Sequence, residues 1–148
     1  MKILFVISIV FVLLLVNACE QKVDSNDEIE KMLNLEVYSV HNLIIKPGVN
    51  EKDFETFIMN EIAPLYNKLK GQDLFLAKGD RGTRDGQYAI FITFKSIEDR
   101  NRIYPPAGGF SEEFHKVFEG KDSMWEKFRS MAEGLDGTNH TDYVRVVQ

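Results

Sequence analysis

The spacing of hydrophobic positions changes along this chain, and each change marks a new element. Residues 3–16 form an apolar run in which Ser8 is the one polar residue. It is shorter than the roughly 20 residues that cross a bilayer, and it has the length of a signal-peptide core. Residues 20–34 (EQKVDSNDEIEKMLN) are polar and acidic and read as a tether, although Ile29, Met32 and Leu33 also permit a short helix over 27–35. Residues 35–46 (LEVYSVHNLIIK) are rich in Val, Ile and Tyr and predict a strand, with both faces largely apolar. Pro47-Gly48 ends it. From Asn50 onward the period becomes helical, with Phe54, Phe57, Ile58, Ile62, Leu65 and Leu69 on one stripe. Asn50 suits an N-cap, and Glu51 and Asp53 suit the first turn. Pro64 should kink this helix or split it, and Gly71 should end it.

Two strands follow, over 74–78 and 87–94, joined by a Gly-rich connection, and the second is again apolar on both faces. Ser96 opens a helix with an acid three residues on. Pro105-Pro106 and Gly108-Gly109 interrupt, and Ser111 caps a further helix. Phe114, Phe118, Trp125, Phe128 and Ala132 continue a helical stripe, with Gly120 as a break and Asp122 as a restart. The last strand is 141–148 (TDYVRVVQ). The order β-α-β-β-α-β predicts an α+β, ferredoxin-like domain over 35–148, with a four-stranded antiparallel sheet and its helices on one face. An antiparallel sheet ordinarily leaves its second face polar. Here that face is apolar and no helix remains to cover it, so a second copy of the chain is expected to pack sheet to sheet as a symmetric homodimer.

Composition narrows the function classes. The net charge is −5, and loss of a leader containing Lys2 would leave the remainder one unit more negative. A mildly acidic chain without a Lys/Arg cluster is expected to bind no nucleic acid. The three histidines, His41, His115 and His140, lack paired spacing, so no metal is expected.

The chemistry-bearing candidates are few. His41 and Asn42 alternate on the first strand, so only one faces a given side, and each needs a partner or a ligand if buried. His115 sits on a later helix, offset from core-facing Phe114 and Phe118, where an imidazole can act as a base. Arg81 lies in the loop KGDRGTRDG, whose glycines and cations suit either an anionic ligand or a locally paired hairpin tip. Phe114, Phe118 and Trp125 form an aromatic stripe that serves a flat apolar ligand or plain core. Tyr104 and the following PPAGG resemble a lip to such a pocket.

Two resemblances extend this reading. Val16-Asn17-Ala18-Cys19, after the apolar run, resembles the lipobox of bacterial lipoproteins. It implies cleavage before Cys19 (signal peptide 1–18), acylation of Cys19 with palmitate or a related chain, and a tether over 19–34. Several acyl chains on one residue give a stable anchor. Glu20 in place of an aspartate implies the outer membrane of a Gram-negative envelope. The stretches VHNLIIKPGVNEKDFETFIMNEIAPLYNKLKG, YAIFITFKSIEDRN and SEEFHKVFE resemble the dimeric α/β-barrel superfamily, in its antibiotic-biosynthesis-monooxygenase-like and stress-responsive branches. The likeness covers about residues 36–147 and implies an apolar pocket between sheet and helices. A haem-degrading branch uses an Asn on the first strand and a Trp and a His on the second helix, which points to Asn42 and His115, with haem as the cofactor. Trp125 follows His115, whereas that branch places its Trp before the His, near Tyr104. The expected function is a lipid-anchored envelope protein whose dimeric barrel binds a small apolar ligand. The alternatives are a cofactor-free or haem-dependent monooxygenase-like enzyme with His41, Asn42 or His115 in catalysis, and a structural dimer without a ligand.

Overall fold

A computed structural model describes residues 34–135 and 139–146. The apolar leader, Cys19 and nearly all of the tether lie outside the described residues. The strands are β1 (Val37–Ile45), β2 (Gln72–Lys78), β3 (Tyr88–Phe94), β4 (Ala132–Glu133) and β5 (His140–Val144). Between β1 and β2, α1 (Glu51–Phe57) passes through a π-helical turn (Ile58–Ile62) into α2 (Ala63–Tyr66). After β3 come α3 (Ile97–Ile103), α4 (Glu112–Phe118) and α5 (Asp122–Met131).

The sheet order is β2-β3-β1, and the far edge of β1 is shared by β4 and β5. All pairings are antiparallel. This is the ferredoxin-like α+β arrangement, with one correction to the expected four strands. The fourth position is split in two: β4 pairs with Ile44 and Ile45, and β5 pairs with Val37 to His41. Ala132, expected on a helical stripe, is extended (φ −151°, ψ 167°) and buried in β4 instead. The end of β1 captures the chain there, with the Lys46 amide donating to the Met131 carbonyl at 2.9 Å.

Local chemistry explains the other boundaries. Asn50, Ser96 and Ser111 each accept a hydrogen bond from the amide three residues on, satisfying an orphan donor of the helix they start. Pro64 does not split the first helix, which runs on from Glu51 to Tyr66. Its missing N–H and its ring are accommodated by the widened turn just before it, which keeps the helix continuous. Phe54, Phe57, Ile58, Ile62 and Leu65 from this helix are buried. They pack with the inner sheet face, where Val37, Leu43, Leu74, Ile90, Ile92 and Phe94 are also buried. Tyr88 ties strand to helix: its hydroxyl donates to Glu55 at 2.5 Å, and burial with that bond pushes its pKa up to about 12.

Among the described residues, the outer sheet face is left partly exposed. Phe75 and Phe91 stack there at 5.0 Å, and Ile44, Phe75 and Tyr143 are exposed. Val40 and Ala89 lie on the same side by strand alternation.

Candidate functional site

Between the inner sheet face and α3 lies a cavity of about 600 Å³. Its walls are mostly apolar, contributed by Ile92, Phe94, Tyr66, Tyr104, Phe110 and Leu135. Pro105-Pro106 and Gly108-Gly109 form its lip. That lip is tied down at both ends, by Gly108 N–H to the Pro105 carbonyl (2.8 Å) and Ser111 N–H to the Ile103 carbonyl (3.0 Å). Phe110 stacks on Phe114 at 4.3 Å, which fixes the ring at the rim.

One end of the cavity is polar, and strand register builds it. In the β1–β5 pair, Ser39 lies opposite Asp142 and His41 opposite His140. Residues two apart share a sheet face, so all four side chains line the cavity together. The His41 and His140 rings stack at 4.9 Å, 17° from parallel. Ser39 Oγ and His41 Nε2 are 3.3 Å apart, a hydrogen bond whose donor depends on the imidazole tautomer. From α3, Arg100 donates to Asp142 Oδ2 at 2.5 Å and through Nε to Asn101 Oδ1 at 2.9 Å. The other carboxylate oxygen, Asp142 Oδ1, is 3.7 Å from His140 Nε2, beyond hydrogen-bond range. It is buried and accepts no hydrogen bond among the described residues.

Tyr104 is the second unsatisfied group. Its ring is wedged edge-on against Phe94, Phe110 and Phe114. Its hydroxyl is buried without a hydrogen-bond partner among the described residues. Burial, then the nearby Tyr66, raises its pKa, so the phenol stays protonated and acts as a donor. An orphaned buried hydroxyl destabilises the empty protein. Tyr104→Phe is therefore expected to raise the unfolding free energy of the ligand-free protein by about 1 kcal/mol. Urea denaturation checks this, and a loss of the same size would mean that the hydroxyl has a partner.

The sequence matches no protein-family model and no curated protein.

The predicted site residues fall in different places. His41 and Tyr104 line the cavity. Asn42 points to the opposite face, into a shallow depression with Val40, Ala77, Phe91 and Tyr143. His115 is exposed on α4, in a surface depression with Glu112, Lys116 and Glu119. Phe114 is buried one layer behind the cavity wall, against Tyr104 and Phe110. Phe118 is core, and half-buried Trp125 packs on it at 5.5 Å. Arg81 is exposed at the hairpin tip and pairs with Asp80 at 3.2 Å. The glycine at the hairpin base is structural, since a Cβ on Gly79 would overlap the Arg84 carbonyl oxygen at 1.8 Å.

These positions do not fit a haem held in the cavity through His115, which lies outside it. His41, inside, is engaged by Ser39 and stacked on His140. Among the described residues, no cluster of three or more His, Cys, Asp or Glu is arranged to hold a metal ion.

Sequence reasoning missed Ser39, Arg100, His140 and Asp142. A signal was present. S-V-H on the first strand and H-T-D on the last each place two polar residues on one face. The ferredoxin-like topology makes those strands neighbours, so the two pairs were bound to meet or to lie on opposite faces.

Proposed function

We propose that this chain is a lipid-anchored cell-envelope protein whose domain pairs with a second copy through the outer sheet face and binds a small, largely apolar molecule in the cavity beneath α3. The observation that carries the reading is the cavity itself. It is preformed, walled by aromatic and aliphatic side chains, and equipped with a few convergent polar groups at one end, which is the anatomy of a small-molecule site. The outer face supports the dimer, because among the described residues Ile44, Phe75 and Tyr143 are exposed there with half-buried Phe91 beside them, a large apolar exposure for a monomer. Organic extraction of the purified full chain, read by mass spectrometry, tests the ligand. A small apolar species in near-equal ratio to the chain is expected, and an extract identical to that of an unrelated envelope protein from the same cells would sink the reading.

The anchor rests on the lipobox-like sequence around Cys19. Cys19→Ser is expected to abolish incorporation of labelled palmitate and to leave the leader uncleaved. Labelling that persists in the variant would refute acylation at this residue.

A monooxygenase-like enzyme is the second reading, favoured by one observation. His41, an imidazole base, lies beside an open apolar cavity with His140 stacked on it. In this reading His41 and His140 take up a substrate proton, and Asn42 and His115, outside the cavity, take no part.

A further inference from the structure

The mouth of the cavity carries an exposed apolar feature of its own. Pro106 to Phe110 is exposed at every residue, and Pro105 is half-buried. The stretch PPAGGF contains no charged or hydrogen-bonding side chain. Phe110 stays 49% exposed although one face of its ring is stacked on Phe114 at 4.3 Å. The turn that presents it is preset, because Gly108 and Gly109 hold φ of +91° and +84°, where a side chain would be strained.

The chain outside the described residues says what lies within reach of this lip. Residues 20–33 separate Cys19 from Asn34, the first described residue. A chain of that length spans at most about 50 Å, so an anchored domain stays beside the bilayer. A single acyl chain gives only marginal membrane binding, and one phenylalanine buries less than that. On an anchored domain, however, the encounter is intramolecular, and a weak contact suffices to set orientation. The backbone amides of an irregular loop cannot enter hydrocarbon. The lip therefore fits the headgroup level, with the Phe110 ring at the acyl boundary. The charges beside it are of both signs, with Arg102 paired to Glu113 and Glu112 exposed, so anionic lipid is not called for.

We propose that the lip over residues 105–110 is a membrane contact: Phe110 seats in the bilayer surface and turns the cavity mouth toward the lipid, from which an apolar ligand enters. This rests on the readings of Cys19 as an anchor and of the cavity as a small-molecule site, and adds the surface that joins them.

Brominated lipid tests it, because bromine quenches indole fluorescence only at close contact. The full chain is held in phosphatidylcholine nanodiscs, plain or brominated near the top of the acyl chains. The native chain, whose one tryptophan is Trp125, is the blank. Phe110→Trp is expected to add emission that is lost in brominated discs, and so is Ala107→Trp. Phe75→Trp, on the outer sheet face, is expected to keep its emission in both. Phe110→Glu is expected to abolish the quenching of Ala107→Trp, since a carboxylate does not enter the acyl boundary. Equal emission from Phe110→Trp in the two discs overturns the membrane contact, and is what a lip built for a protein partner would give. Quenching of Phe75→Trp as strong as that of Phe110→Trp overturns it too, since the domain would then lie on the bilayer without a preferred face. Quenching of Ala107→Trp that survives Phe110→Glu overturns the part given to the ring. These three outcomes leave the anchor and the cavity standing, because retention on the discs and the organic extract report those separately. A chain that does not travel with the discs overturns the contact and the anchor together.

Discussion

Phe91→Lys is expected to turn the proposed dimer into a monomer. Phe91 lies on the central strand β3, on the outer face, and stacks at 5.0 Å on Phe75 from β2. Val40 on β1 is its register neighbour on the other side. It is thus near the centre of the apolar outer face, where interface energy concentrates. A lysine there would place two ammonium groups close to the two-fold axis of a symmetric pair, in a region that the native sequence keeps apolar. Truncating the aromatic pair and burying unpaired charge together are expected to weaken association by about 4 kcal/mol or more, roughly a thousandfold. The fold is expected to survive, since the inner core does not include this ring. Sedimentation at micromolar concentration and far-UV circular dichroism make the comparison. A native chain that already sediments as a monomer removes the dimer from the account.

Gly134→Ala is expected to unfold the β4–β5 edge or to destabilise the whole domain by about 3 kcal/mol. Two independent effects act at this residue. Its φ is +106°, a conformation that side chains rarely adopt. A Cβ built there would also lie 2.1 Å from the carbonyl oxygen of Asn42 and 3.1 Å from its carbonyl carbon. Both are backbone atoms of β1, so neither can rotate away. Gly134 sits between β4 and Leu135, which lines the cavity. Strain here is therefore read at the site as well as in the melt: weaker binding of an apolar probe is expected to accompany the lowered transition. An alanine variant with unchanged melting would mean that the chain crosses β1 differently.

The elements were legible in the sequence because each depends on a local rule. Val, Ile and Tyr content marked β1, period in the apolar positions marked the first helix, and Asn50, Ser96 and Ser111 announced their caps. What local rules do not carry is the split of the edge strand. Ala132 looks helical by spacing, and only its pairing with Ile45 across the sheet makes it a strand. The site was half legible for the same reason. His41 stands out as a polar residue on an apolar strand, and Tyr104 stands out beside its proline-glycine lip. His140, Asp142 and Arg100 look like ordinary surface residues until register sets His140 on His41 and brings Asp142 under Arg100. His115 misled by identity: an imidazole on an aromatic helix is conspicuous, but its position one residue from Phe114 turns it away from the core.

The central claim is that the cavity beneath α3 is where a small apolar molecule binds, and filling that cavity tests it most directly. Leu135 is half-buried in the cavity wall, so Leu135→Trp adds volume inside with little disturbance to the core. Titrating 2-methylnaphthalene into the full chain in nanodiscs is expected to give saturable binding to the native protein and none to Leu135→Trp, with the two melting together. Binding that is undiminished in the tryptophan variant would contradict the account.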